Sequence, residues 1–310
     1  MAQAVGSGTI AVRGLVKRYG RTVAVDGLSF DVRPGLVTGF LGPNGSGKST
    51  TLRVIVGLDA PTTGQVTVSG TPYRTHRRPL HEVGALLEAR SIHPGRSAYN
   101  HLLFLALSNG IPRRRVGEVL ERVGLTDVAR KRAGTFSLGM GQRLGIAAAL
   151  LGDPGILLFD EPVNGLDPEG ILWVRNLMRS LAAEGRTVFV SSHLMSEMSL
   201  TADHLVVIGK GKLIADTSVS DFVKGKGQAR ARVRSPGAQQ LAGLLVAKGA
   251  TVEPGPDGAM VVSGLPAEDI GDLAAAQGLA LHELTPLQAS LEEVFMEMTG
   301  HTVEYKAAPK

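Results

Sequence analysis

Gly42-Pro43-Asn44-Gly45-Ser46-Gly47-Lys48-Ser49-Thr50 follows an apolar run, Leu36 to Leu41, and opens a helical pattern through Leu52 and Val56. The run reads as a buried strand, so the glycine-rich stretch sits between a strand and a helix. GxxxxGK[ST] carries meaning only in that context, and the context is present. Glycines let the backbone curl until its N–H groups converge on phosphate oxygens, and the helix that follows adds a partial positive charge at its N-terminus. Lys48 is expected to reach the β- and γ-phosphates of a nucleotide, and the Ser49 hydroxyl to ligate Mg²⁺.

Further along, Ile156-Leu157-Leu158-Phe159-Asp160-Glu161 places four apolar residues before two adjacent carboxylates. Four buried residues make a short strand, and in open α/β sheets ligands sit at the carboxyl ends of strands. Taken alone, two acids at a strand end could merely cap it. With a phosphate loop in the same sheet, Asp160 becomes a candidate Mg²⁺ ligand, and Glu161 a candidate general base that polarises the attacking water.

Runs at Thr9 to Val16, Val66 to Val68, Thr187 to Val190 and Leu205 to Ile208 add further strands, alternating with helical patterns. That alternation predicts a largely parallel sheet. The strands around Thr9, Ser29 and Val66 are separated by turns instead, at Arg33-Pro34-Gly35 and Pro61-Thr62-Thr63-Gly64, and read as an antiparallel edge. Residues 98 to 148 form a helical subdomain. Ile208 to Leu213 reads as a hairpin, after which Ser218 caps a short helix through Lys224. The polar, glycine-rich stretch Gly225-Lys226-Gly227-Gln228 marks a boundary, giving a domain 1–226 and a small α+β domain 227–310. The expected fold class is thus α/β, with a mixed core sheet, an antiparallel β edge, a helical subdomain and the α+β appendage.

Composition narrows the chemistry. A chain of 310 residues with 43% hydrophobic and 20% charged residues is globular, not disordered or fibrous. Without a single cysteine there are no disulfides, thiolate metal sites or cysteine nucleophiles. Net charge is +9 over residues 1–227 and −4 over 228–310, so the two parts differ in kind. The clusters Arg74/Arg77/Arg78, Arg113 to Arg115 and Arg130 to Arg132 lack the interleaved aromatics of a single-strand nucleic-acid platform, and no nucleic-acid partner is expected. Asp153 and Pro154 interrupt the longest apolar stretch, Leu144 to Phe159, short of the roughly 18 to 20 residues a membrane span needs. The N-terminus, MAQAVGSGTI, lacks the cationic start and apolar block of a secretory signal, and the chain is expected to stay in the cytoplasm.

Together these segments resemble the ATP-binding cassette (ABC) ATPases, over about Thr9 to Asp221. Tyr19 resembles the aromatic residue that stacks on adenine in that family. Phe136-Ser137-Leu138-Gly139-Met140, followed by Gln142-Arg143, resembles the signature segment. A lone Ser-x-Gly is more simply a helix cap, and its place just before the Ile156 strand is what favours the signature. The resemblance implies that Ser137, Gly139 and Met140 bind the γ-phosphate held by an opposing subunit. It further implies that Asn164-Gly165-Leu166-Asp167 crosses a dimer interface and that His193 contacts γ-phosphate as the switch histidine.

Two positions depart from the family pattern. Glu88 stands where a glutamine usually senses Mg²⁺ and couples to the membrane subunit; a carboxylate still ligates Mg²⁺ while adding negative charge. Leu138 replaces the first signature glycine. These departures, with Pro94-Gly95-Arg96-Ser97 and Ser290-Leu291-Glu292-Glu293-Val294-Phe295, resemble the bacterial drug and antibiotic exporters that pair an ATPase with a separate permease. The implied function is an ATPase subunit with ATP and Mg²⁺ as cofactors. It works as an ATP-sandwich homodimer at the cytoplasmic face of the membrane, held there by the permease. A soluble ABC-type ATPase acting on ribosomes or DNA would use the same site. Such proteins usually carry two cassettes in one chain or a long coiled coil, and neither is visible.

Overall fold

Val37-Thr38-Gly39-Phe40-Leu41 is buried at all five positions, as only a strand covered on both faces can be. In the computed structural model, which describes residues 8–88, 92–224 and 229–287 together with Leu291 and Phe295, this strand lies inside a six-stranded sheet. In chain order the first unit runs β1 (Ile10–Tyr19), β2 (Thr22–Val32), β3 (Val37–Leu41), α1 (Lys48–Ile55), β4 (Thr63–Val68), α2 (Pro79–Glu82) and β5 (Val83–Leu86). Next come α3 (Ala98–Ser108), α4 (Arg114–Arg122), α5 (Leu138–Leu150), β6 (Ile156–Asp160), α6 (Pro168–Ala183), β7 (Thr187–Ser192), α7 (Met195–Thr201), β8 (His204–Gly209) and β9 (Lys212–Ser218).

The strand order of the large sheet is β5-β6-β7-β3-β8-β9, parallel throughout except for the last pair. β8 and β9 form the expected hairpin, turning on Lys210 and Gly211, which both take positive φ as a two-residue hairpin turn demands. A second sheet, β2-β1-β4, is wholly antiparallel and forms the expected edge layer. Phe30 on β2 meets Phe40 and Phe189 of the large sheet at centroid distances of 5.6 and 5.8 Å, those two rings lie 5.1 Å apart, and all three are tilted. These three rings join the layers; truncating Phe189 to alanine would cost about 3–5 kcal/mol. Between β5 and β6, helices α3, α4 and α5 make up the helical subdomain.

Register decides where the site forms. Asp160 pairs with Ser191 and Ser191 with Phe40, so β6, β7 and β3 end level with one another. Whatever follows them emerges together at the sheet's carboxyl edge. Among the described residues, no helix is long and apolar enough to cross a membrane.

The second compact unit begins at Val219, while the expected boundary at 225–228 lies outside the described residues. It contains α8 (Val219–Lys224), β10 (Arg230–Arg234), α9 (Ala238–Ala247), β11 (Thr251–Pro254), β12 (Met260–Ser263), α10 (Ala267–Ala276) and β13 (Glu283–Leu287). From β10 onward the order is βαββαβ, with strands arranged β11-β12-β10-β13 and all antiparallel, the split βαβ topology. Ala231 and Val233 alternate inward from β10 to meet Leu241, Leu245, Ile270 and Ala274 of the two helices. Pro286 is tolerated in β13 because that strand is an edge.

Candidate functional site

The turn after β3 must be made of glycine where it matters most. A Cβ on Gly42 would stand 2.5 Å from the Ser46 Oγ and 2.6 Å from the Ile208 carbonyl oxygen. Gly47, at φ 105°, would place one 2.5 Å from the carbonyl oxygen of Ala24. The loop is braced from behind: Gly211 N–H donates to the Ser46 carbonyl at 3.0 Å, and Asp26 N–H donates to the Gly211 carbonyl at 2.9 Å. Ahead of it, α1 starts at Lys48 with no side-chain cap, so its first N–H groups remain available to an anion. Ser46 Oγ is buried with no hydrogen-bond partner. A glycine cradle with an orphaned hydroxyl and uncapped N–H groups is a donor set that fits a polyphosphate.

The Lys48 side chain is only 6% exposed. Its ammonium donates to the carbonyls of Gly42 (2.7 Å) and Pro43 (3.3 Å) and lies 3.8 Å from the Glu161 carboxylate. Burial pushes its pKa down, and the charges of Glu161 and Asp160 pull the other way. A buried cation facing carbonyls and carboxylates is matched to a dense negative charge.

At the end of β6, Asp160 accepts a short hydrogen bond from Ser191 Oγ. Glu161 sits at φ 49°, a left-handed conformation that costs a non-glycine residue on the order of 1–3 kcal/mol. Its N–H donates to the Ser191 carbonyl (3.2 Å) and Oγ (3.0 Å), and these bonds hold the turn that aims its carboxylate at Lys48. His193, two residues beyond Ser191, places Nδ1 2.8 Å from Glu161 Oε2. Ser49, Glu88 and Asp160 line one cavity of about 610 Å³, with Arg53, Tyr73 and His101 also on its wall. Among the described residues, no group of three His, Cys, Asp or Glu side chains is disposed to hold a metal ion. A cation here would rest on Ser49, the two separate carboxylates and the oxygens of its nucleotide, the sparse protein ligation typical of Mg²⁺.

Tyr19, half exposed on β1, donates its phenol hydrogen to Asp59 (2.7 Å), which also pairs with Arg53 (2.8 Å). Arg53 first, and Tyr19 after it, hold the Asp59 carboxyl down at about 2. Asp59 in turn raises the Tyr19 phenol pKa, with Thr50, the last residue of the phosphate loop, acting in the opposite sense. The ring is therefore fixed beside the start of α1, and the Lys17 ammonium lies 4.8 Å from its centroid.

The structure does not bring the signature residues to this cluster. Ser137 caps α5, accepting from the Met140 N–H at 3.2 Å, and lines with Leu138 a different cavity of about 410 Å³. Gly139 lies against Leu166, and Leu138 packs over Gly165, which takes φ 71°. Asp167 caps α6 through the Gly170 N–H (2.9 Å). Sequence reasoning missed two residues of the site, Ser191 and Asp59, and read Gln142 only as part of the signature segment. Ser191 binds the Asp160 carboxylate and the Glu161 N–H, Asp59 fixes Tyr19, and the buried Gln142 donates to the Pro162 carbonyl at 2.8 Å. Each contact joins residues 20 to 40 positions apart, and no local pattern signals it. Of the Ser290–Phe295 segment, only Leu291 and Phe295 are among the described residues.

Comparison with known proteins agrees with this geometry. The family model described as ABC transporter matches residues 25–164, and one described only as a domain of unknown function matches residues 229–292. The uncharacterized ABC transporter ATP-binding protein YhcH of Bacillus subtilis (strain 168) is 38% identical over 92% of this chain and 93% of its own. The bacitracin transport ATP-binding protein BcrA of Bacillus licheniformis is 43% identical over 67% of this chain and 69% of its own. Among solved structures, cbiO1 from Clostridium perfringens, part of the ABC transporter complex cbiONQ, superposes with a TM-score of 0.61 at 27% identity, covering 70% of this chain and 90% of that one. With a glycine-rich phosphate-type loop at the carboxyl edge of its sheet and 38% identity to YhcH over 92% of its length, this chain belongs to the ABC transporter ATP-binding proteins, the ATP-hydrolysing subunits of those transporters.

Proposed function

We propose that the chain hydrolyses Mg²⁺-ATP to drive a separately encoded permease that exports an antibiotic or a similar amphipathic compound. The observation that carries this reading is the meeting of Lys48, Ser49, Asp160, Glu161 and His193 at one sheet edge, with Glu88 on the wall of the same cavity. The exported class is inferred from the likeness to the bacitracin transport protein.

The phosphates lie in the loop Gly42 to Thr50, with the Lys48 ammonium turned from the loop carbonyls onto them and adenine against Tyr19. Ser49 and Asp160 would hold Mg²⁺, with Glu88 on the same cavity wall, and the bound ion would supply positive charge against the phosphate oxygens. Glu161 accepts the proton of the attacking water, and His193 orients its carboxylate from the far side. Ser137, Gly139 and Met140 serve the site of a second copy, which makes the working unit a sandwich of two chains. The permease holds this dimer at the cytoplasmic face of the membrane.

Glu161→Gln tests the assignment directly. The variant should bind ATP, stop turning over, and change from monomer to dimer in solution only when ATP and Mg²⁺ are present. Normal hydrolysis by this variant would overturn the role of Glu161. Co-purification of a polytopic membrane protein with the tagged chain tests the permease.

A further inference from the structure

Helix α5 and the segment that follows β6 are fastened to each other at successive points. Gln142, 4% exposed, donates from Nε2 to the Pro162 carbonyl at 2.8 Å and lies 3.5 Å from the carbonyl of Glu161 itself. One turn earlier, Leu138 packs on Gly165 and Gly139 abuts Leu166. Next to Gln142, the Arg143 guanidinium stacks on Trp173 of α6 at 4.3 Å and donates to the Val123 carbonyl at 3.0 Å. The stretch 161–167 is thus clamped along its length by the helix whose first turn carries Ser137, Gly139 and Met140. Within that stretch Glu161 holds a strained left-handed backbone, and its own carbonyl faces the Gln142 amide.

We infer that Gln142 is a positioning residue linking the two nucleotide sites of a dimer: it ties the helix that grips nucleotide in the partner's site to the backbone that aims Glu161 in its own. This rests on the catalytic role proposed for Glu161. A strained turn is set by the bonds that over-determine it; at Glu161 these are the Ser191 partners of its N–H, the Asn164 N–H on its carbonyl at 3.2 Å, and Gln142. Here one such bond comes from α5, so a small displacement of α5 when its N-terminus engages phosphate changes the aim of the carboxylate. Each site then turns over at full rate only when the opposite site is filled, and hydrolysis depends cooperatively on ATP.

The test uses the full chain and steady-state ATP hydrolysis. Gln142→Met keeps the length and apolar bulk of the side chain and removes the donor. It should lower kcat about tenfold, leave the KM for ATP within about twofold, and bring the Hill coefficient of the wild type down to one. Gln142→Glu separates positioning from packing: a buried carboxyl facing two carbonyls donates only when protonated, so its kcat should recover as pH falls, where the wild type's does not. Should the methionine variant fail to fold, that pH profile decides alone. Unchanged kcat and cooperativity in Gln142→Met, or a Gln142→Glu profile parallel to the wild type, overturns the inference. Glu161→Gln run alongside distinguishes the two failures: if it hydrolyses ATP normally, the catalytic reading has failed instead.

Discussion

Nδ1 of His193 lies 2.8 Å from Oε2 of Glu161 while the other oxygen of that carboxylate faces the Lys48 ammonium at 3.8 Å. Glu161 is therefore held from two sides. Replacing Glu161 with glutamine keeps the size of the side chain and removes the base. Phosphate release should fall by about 10²- to 10⁴-fold, with binding of a fluorescent ATP analogue unchanged.

His193→Ala leaves the base in place but frees its carboxylate to rotate. Turnover should fall at least about tenfold with little change in ATP affinity. Because the imidazole is 39% exposed, the melting temperature should stay close to that of the wild type. Calorimetry alongside the kinetics checks both halves.

Lys48→Ala predicts opposite signs for binding and stability. The ammonium is buried with its pKa pushed down by desolvation, so its removal relieves a cost in the nucleotide-free protein. ATP affinity should drop about 10- to 100-fold, as expected for losing a charged hydrogen bond to phosphate. The melting temperature without nucleotide should hold or rise, and the rise that ATP gives the wild type should shrink.

Asp59 touches no expected ligand atom, yet it orients Tyr19. Asp59→Asn should raise the KM for ATP by about three- to tenfold with kcat unchanged. It should also shift the phenol titration of Tyr19 to lower pH, because Asp59 is what raises it. Ultraviolet difference spectra follow that titration.

His101 predicts an acid sensitivity. Its Nδ1 is buried without a hydrogen-bond partner, and burial followed by the charge of Arg96 lowers its pKa. The unfolded chain therefore binds the proton first, and stability falls as pH drops through the ordinary histidine range toward the lowered value. His101→Asn should flatten the decline in melting temperature between about pH 7.5 and 5, where ordinary histidines titrate.

Residues that signal through their neighbours in sequence were legible. The phosphate loop, the carboxylates at the end of β6 and the buried strands each declare themselves within about ten residues. The βαββαβ arrangement of the second unit was legible only as an α+β pattern. β11 has four residues, and β13 holds Pro286, which a propensity argument counts against a strand until its edge position is seen. β5, also four residues long, was hidden between a short helix and Glu88. Ser191 and Asp59 were invisible for another reason: they are common residue types whose meaning comes from partners brought near by register and packing. Gln142 was legible only as part of the signature segment, not as a partner of the Pro162 carbonyl.

The brace behind the phosphate loop gives the chain a timetable. Its nine-residue motif is complete once residue 50 has been synthesised, yet the carbonyl of Ser46 waits for the N–H of Gly211 at the tip of the β8–β9 hairpin. A nascent chain lacking that hairpin carries every letter of the motif without the support that shapes it. Nucleotide binding is accordingly expected only after residue 211 has been made, since the supporting contact spans a long stretch of chain. A chain truncated before residue 211 is expected to keep the motif but not the pocket.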